Sequence, residues 1–106
     1  MKKLALLLTM FAGFAHADDR LAELCNNRDI KDVAVCEQVI AEQLDAAYVW
    51  GEENAHLFKR QKLIKLHEFL QSEPMMNLCT KAPNKERCEK LHTYLVDEYV
   101  AGIGLY

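Results

Sequence analysis

The sequence predicts an all-α fold: a small disulfide-stabilised bundle of about five helices following a cleaved signal peptide. Three observations carry this. Apolar residues recur at helical spacing along most of the chain, strand-type alternation is nearly absent, and four cysteines follow an amino-terminal stretch laid out as a secretory leader.

In the leader, Lys2 and Lys3 precede an apolar run from Leu4 to Phe14, and Ala15-His16-Ala17 supplies a small-residue cleavage site. The expected organisation is therefore a signal peptide over 1–17 and a single helical domain over 18–106, exported to the periplasm. The apolar run is too short to span a bilayer, the nearest following cysteine is the distant Cys25, and no later segment approaches eighteen unbroken apolar residues. Neither lipid modification nor a membrane anchor is expected.

A first short helix is expected at about 19–26. From Val33 to Trp50 the residues Val33, Cys36, Val39, Ile40, Leu44, Ala47 and Trp50 share one side of a 3.6-residue helix. Asp29 or Asp32 can cap its start, and Gly51 is expected to take the left-handed stop. A third helix is expected over about 54–71, and Ser72-Glu73-Pro74 opens a short one reaching Cys79. The last runs from about Asn84, its cap, to Ala101, with Cys88, Leu91, Leu95 and Tyr99 on one face and Gly102 closing it. A weak internal repeat aligns Leu24-Cys25 with Leu78-Cys79, Cys36-Glu37 with Cys88-Glu89, and Gly51 with Gly102.

Four cysteines allow three pairings, and the sequence does not fix which one forms. Cys25 with Cys36 and Cys79 with Cys88 is the favoured scheme, because each couple joins the end of a short helix to the first turns of the next. No Cys-x-x-Cys redox element, haem attachment site or zinc-ribbon spacing is present, so a structural role is expected for all four.

A formal charge of −3, more negative still without Lys2 and Lys3, argues against nucleic acid as a partner. No two of His56, His67 and His92 stand three or four residues apart, so no helix offers a ready chelating pair. His67 and His92 are expected to pack within apolar faces, and Met75-Met76 to fill core. Ser72 is the one serine after the leader and sits at a helix boundary. No catalytic residue, metal ligand or cofactor is assigned, and the chain is not expected to be an enzyme.

On the third helix Leu57, Leu63, Ile64, His67 and Leu70 are expected to face the core. Phe58, Lys62, Lys65 and Phe69, at i, i+4, i+7 and i+11, fall on another side. These four form a candidate partner-binding stripe of two aromatic anchors and two steering cations. Burial of the two phenylalanines by neighbouring helices is the competing reading. Surplus apolar residues, Val35, Tyr48, Val49, Tyr94 and Val100, admit a homodimer.

Leu24-Cys25, Cys36, Ile40 and Asp45-Ala46, with the later run Phe69-Leu70-Gln71-Ser72-Glu73-Pro74, resemble the Rap/Tai-type periplasmic immunity proteins of type VI secretion systems. The resemblance spans about half of the exported chain. It implies a small exported helical protein, often dimeric, that blocks the active-site groove of a secreted peptidoglycan amidase. The chain departs from that pattern at Ala41-Glu42, where a glycine is usual, and in its ending Gly102-Ile103-Gly104-Leu105-Tyr106, which lacks proline-cysteine. The leading expectation is thus a toxin-immunity protein or inhibitor. The alternative is a periplasmic stress chaperone or envelope assembly factor.

Overall fold

The computed structural model describes residues 19–26 and 31–105; the leader and the Asp29 cap lie outside these. Five helices and no strand occur among the described residues: α1 (19–25), α2 (Val33–Glu52), α3 (Lys59–Gln71), α4 (Glu73–Met76) and α5 (Lys85–Ile103). The all-α, disulfide-linked fold is the one the sequence predicts. No described helix is long and apolar enough to cross a membrane. The chain divides into two units, Met1–Ala41 and Glu42–Tyr106.

In the first unit, α1 turns Leu21, Leu24 and Cys25 into the interior. A disulfide from Cys25 to Cys36, with Cα atoms 5.8 Å apart, clasps α1 to the opening turns of α2. The start of α2 is capped by Asp32, whose carboxylate accepts from the Val35 amide at 3.1 Å and satisfies one of the orphan donors of the first turn.

The second unit holds the end of α2 together with α3, α4 and α5. It contains a three-ring cluster, one ring from each long helix, in which Phe69 and Tyr99 are buried and Trp50 stays partly exposed at the rim. Phe69 stacks on Tyr99 at 4.2 Å and 17°, and Trp50 meets both rings edge-on. Tyr99 is fully buried, and its hydroxyl donates to the Lys65 carbonyl at 3.2 Å, so the ring packs without leaving its polar tip unpaired. A disulfide joins Cys79 to Cys88 with Cα atoms 5.6 Å apart, and the Asn84 side chain caps α5 by accepting from the Arg87 amide at 3.0 Å.

Gly51 and Gly102 do not end their helices as expected; both sit inside a helix, and neither has positive φ. The left-handed stop belongs to Gly104, at φ 78°. The two helical glycines are instead a contact. A Cβ on Gly51 would meet the Tyr99 carbonyl oxygen and stand 2.9 Å from the Ile103 nitrogen. One on Gly102 would meet the Tyr48 carbonyl oxygen and stand 3.0 Å from the Glu52 nitrogen. Tyr48-Val49-Trp50-Gly51 and Tyr99-Val100-Ala101-Gly102 share a Tyr-Val-x-Gly pattern, and the two segments pack reciprocally, each glycine on the other's tyrosine carbonyl.

Burial pushes the Tyr99 phenol above its ordinary 10.0. The stability this neutral form contributes is complete below about pH 10 and is lost as pH rises through the raised value. Tyr99→Phe keeps the stack but removes both the hydrogen bond and the titration. It should cost about 1 kcal/mol at neutral pH, and its melting temperature should fall less between pH 9 and about pH 11 than that of the wild type. Parallel thermal scans of the two proteins check this.

Candidate functional site

Helix α3 starts in a manner that local energetics disfavours. Its N-cap position is occupied by Phe58, in extended conformation and without a side-chain hydrogen bond, where Ser, Thr, Asp or Asn would satisfy an orphan amide. The first turn carries no acid; Lys59 and Arg60 instead place cations at the positive end of the helix dipole. Phe58 is 82% exposed, so its ring gains no burial in return. A helix start that breaks three local preferences without an internal contact to offset them is the pattern of a surface kept for recognition.

Beyond this start, α3 turns one face inward and another outward, and at Leu63, Ile64, His67 and Phe69 the two are exchanged relative to the sequence-based assignment. Phe69 is 3% exposed and sits in the ring cluster. Lys62 and Lys65 share its arc of the helix. The Lys62 ammonium lies 3.4 Å from the Gly104 carbonyl at the end of α5, and Lys65 pairs with Glu68 at 3.2 Å. Phe58, Lys62, Lys65 and Phe69 therefore do not form an outward stripe. Stacking Phe69 on Tyr99 buries a whole ring, and the lysine stems can lie along apolar surface with their ammonium groups at the rim, so this arc outcompetes the aliphatic one for the interior.

The outward face carries three of the five residues expected inside, while Leu57 and Leu70 are half-buried. Leu63 and Ile64 are 50% and 51% exposed, and His67 is exposed beside them. With Lys59 and Arg60 they fall at i, i+1, i+4, i+5 and i+8, a single side of the helix. The result is two aliphatic side chains flanked by two cations and an imidazole, with the Phe58 ring projecting at the helix start. Apolar contact area with a basic border suits a protein surface that is apolar at its centre and acidic at its edge. The signal for this site was the uncapped, cation-rich start of the helix; periodicity alone pointed to the wrong face.

The remaining candidates are dispersed. His56 is exposed in the turn before α3, whereas His92 is half-buried on α5. The Ser72 hydroxyl donates to the Phe69 carbonyl at 2.6 Å, a helix-end contact rather than a nucleophile beside a base. Among the described residues, no three His, Cys, Asp or Glu side chains gather as a metal site. The four cysteines are all consumed in the two disulfides.

The valyl-tRNA ligase modifier family matches residues 1–105, and the chain belongs to that family. No curated protein and no solved structure matches the chain significantly. Membership corrects the resemblance to type VI immunity proteins, and with it the expected amidase partner and toxin-inhibiting role; the stress-chaperone alternative is not supported either. The physical reason is visible in the elements that carried the resemblance. Leu24-Cys25 and Cys36 form a local disulfide clasp, and Ser72-Glu73-Pro74 lies at a helix junction; any cross-linked helix pair needs such features.

Proposed function

We propose, with membership of that family as the premise, that the chain is a non-catalytic protein ligand of valyl-tRNA ligase and binds it through the start and outward face of α3. The observation that carries this reading is the helix start itself, where Phe58, Lys59 and Arg60 give up local stability and the adjoining Leu63 and Ile64 leave apolar area uncovered. Action by binding is further supported by the engagement of the Ser72 hydroxyl and of all four cysteines in structural contacts.

Titration of the purified, oxidised chain into valyl-tRNA ligase, followed by calorimetry, tests the proposal. A saturable complex is expected. Phe58→Ser should separate the two roles of its position: a serine cap raises the stability of the chain by about 1 kcal/mol, while loss of the exposed ring weakens the complex about tenfold or more. Ile64→Asp should weaken it similarly with helicity unchanged. Absence of a complex with the wild-type chain overturns the partner. Full affinity in both variants overturns the surface, and sizing of the chain alone separates self-association from capture of the ligase.

Export is a separate proposal, supported by the leader pattern of 1–17 and by cysteines paired as disulfides, which persist in oxidising compartments. Aminoacylation occurs where tRNA and ATP are, so the two proposals place the chain differently. Fractionation decides between them. A processed chain starting near Asp18 in the periplasm supports export, and an unprocessed, reduced chain co-purifying with cytoplasmic ligase rejects it.

A further inference from the structure

A pocket of about 390 Å³ in the second unit is lined by Met75, Met76, Cys79, Glu89, His92 and Thr93, well outside the ring cluster and the outward face of α3. We propose that it is a binding site for a soft monovalent metal ion, Cu(I), with the Met75 and Met76 thioethers and the His92 imidazole as its ligands.

The chemistry of the lining narrows the choice. Cys79 is bonded to Cys88 and has no thiolate to give, and the Thr93 hydroxyl is engaged with the Glu89 carbonyl at 3.1 Å. The donors left are two neutral thioethers and one imidazole, with the exposed Glu89 carboxylate on the same pocket. Thioether sulfur is soft and uncharged. It suits Cu(I), whereas Zn²⁺ favours thiolate, imidazole and carboxylate and would find one imidazole and one carboxylate here.

The position of the three groups is also set by the fold. Met75 and Met76 are consecutive residues of the one-turn helix α4, yet both line the pocket; Met75 is buried while Met76 is 61% exposed, an arrangement with one ligand fixed in the interior and one at the mouth. His92 stands four residues after Cys88, one turn along α5, so the disulfide that ties Cys79 to Cys88 also holds the imidazole toward α4. Half-buried, His92 makes no hydrogen bond or ion pair among the described residues, and its ring nitrogens are available to a ligand. Two adjacent sulfurs alone would be ordinary packing, and a lone half-buried imidazole would be equally ordinary. Their meeting in one pocket is what points to a metal.

The test uses the oxidised full chain in chloride-free buffer, with Ag(I) as a redox-inert probe of a Cu(I) site, followed by the NMR signals of the methionine methyls and histidine rings. One equivalent is expected to shift the Met75 and Met76 methyls and the His92 ring together, while Zn²⁺ leaves both methyls in place. Met76→Leu, at an exposed position that tolerates the swap, and His92→Gln should each weaken Ag(I) binding at least tenfold, and competition with a Cu(I) chelator under ascorbate should follow the same order. Shifts confined to Met1, Met10 or the other histidines overturn the proposal, as does unchanged affinity in both variants.

Discussion

Gly102→Ala is expected to destabilise the chain by about 2 kcal/mol, although alanine is the better helix former. Replacing glycine inside a helix ordinarily contributes about 1 kcal/mol of stability. Here the new Cβ would meet the Tyr48 carbonyl oxygen and come within 3.0 Å of the Glu52 nitrogen, so the obstacle is backbone on both sides and no side chain can swing away. Forcing two helices apart at such a point costs about 3 kcal/mol or more, and the overpacking term wins. Gly51→Ala meets the Tyr99 carbonyl in the same manner and should behave alike. For a domain of this size the melting temperature should fall by about 10 °C. A rise in either variant would show that the close reciprocal packing is absent in solution.

Removing the disulfides should have an effect of comparable size for each bond. Cys25 and Cys36 are 11 apart in sequence, and Cys79 and Cys88 are 9 apart. In the chain-entropy treatment, loops of this length give about 3 kcal/mol each. The total of about 6 kcal/mol is comparable with the whole stability of a small domain, about 5 kcal/mol or somewhat more. Double alanine replacement at either pair should lower the melting temperature markedly, and loss of both should leave little helix signal at 37 °C. Far-UV circular dichroism with and without reductant reads this directly. A reduced chain that melts as the oxidised one does would remove the cross-links from the account of stability.

The helices and the cysteine couples were legible because their signals are local. A cap such as Asp32 or Asn84 acts within its own first turn, and Leu44, Ala47, Leu95 and Tyr99 follow the 3.6-residue period that burial imposes. What escaped was decided between helices. Gly51 and Gly102 read as stops because glycine commonly ends helices, and only the paired tetrapeptides Tyr48-Val49-Trp50-Gly51 and Tyr99-Val100-Ala101-Gly102 hinted that they meet. On α3 both faces carry apolar residues, and periodicity favoured the aliphatic one; the stack of Phe69 on Tyr99 made the opposite choice from across the unit. The third helix also starts later than expected, at Lys59, because the chain after α2 first makes turns in which the Asn54 amide bonds to Gly51 and the Ala55 amide to Glu52.

The cross-links also bear on how the chain reaches its fold. Each joins sulfurs near in sequence, whereas either mismatched scheme, Cys25 to Cys79 with Cys36 to Cys88 or Cys25 to Cys88 with Cys36 to Cys79, would close spans of roughly forty to sixty residues, at a penalty about 1.5 kcal/mol larger per loop. Correct partners therefore find one another sooner on a nascent, still unfolded strand, and a scrambled one is biased towards repair by exchange.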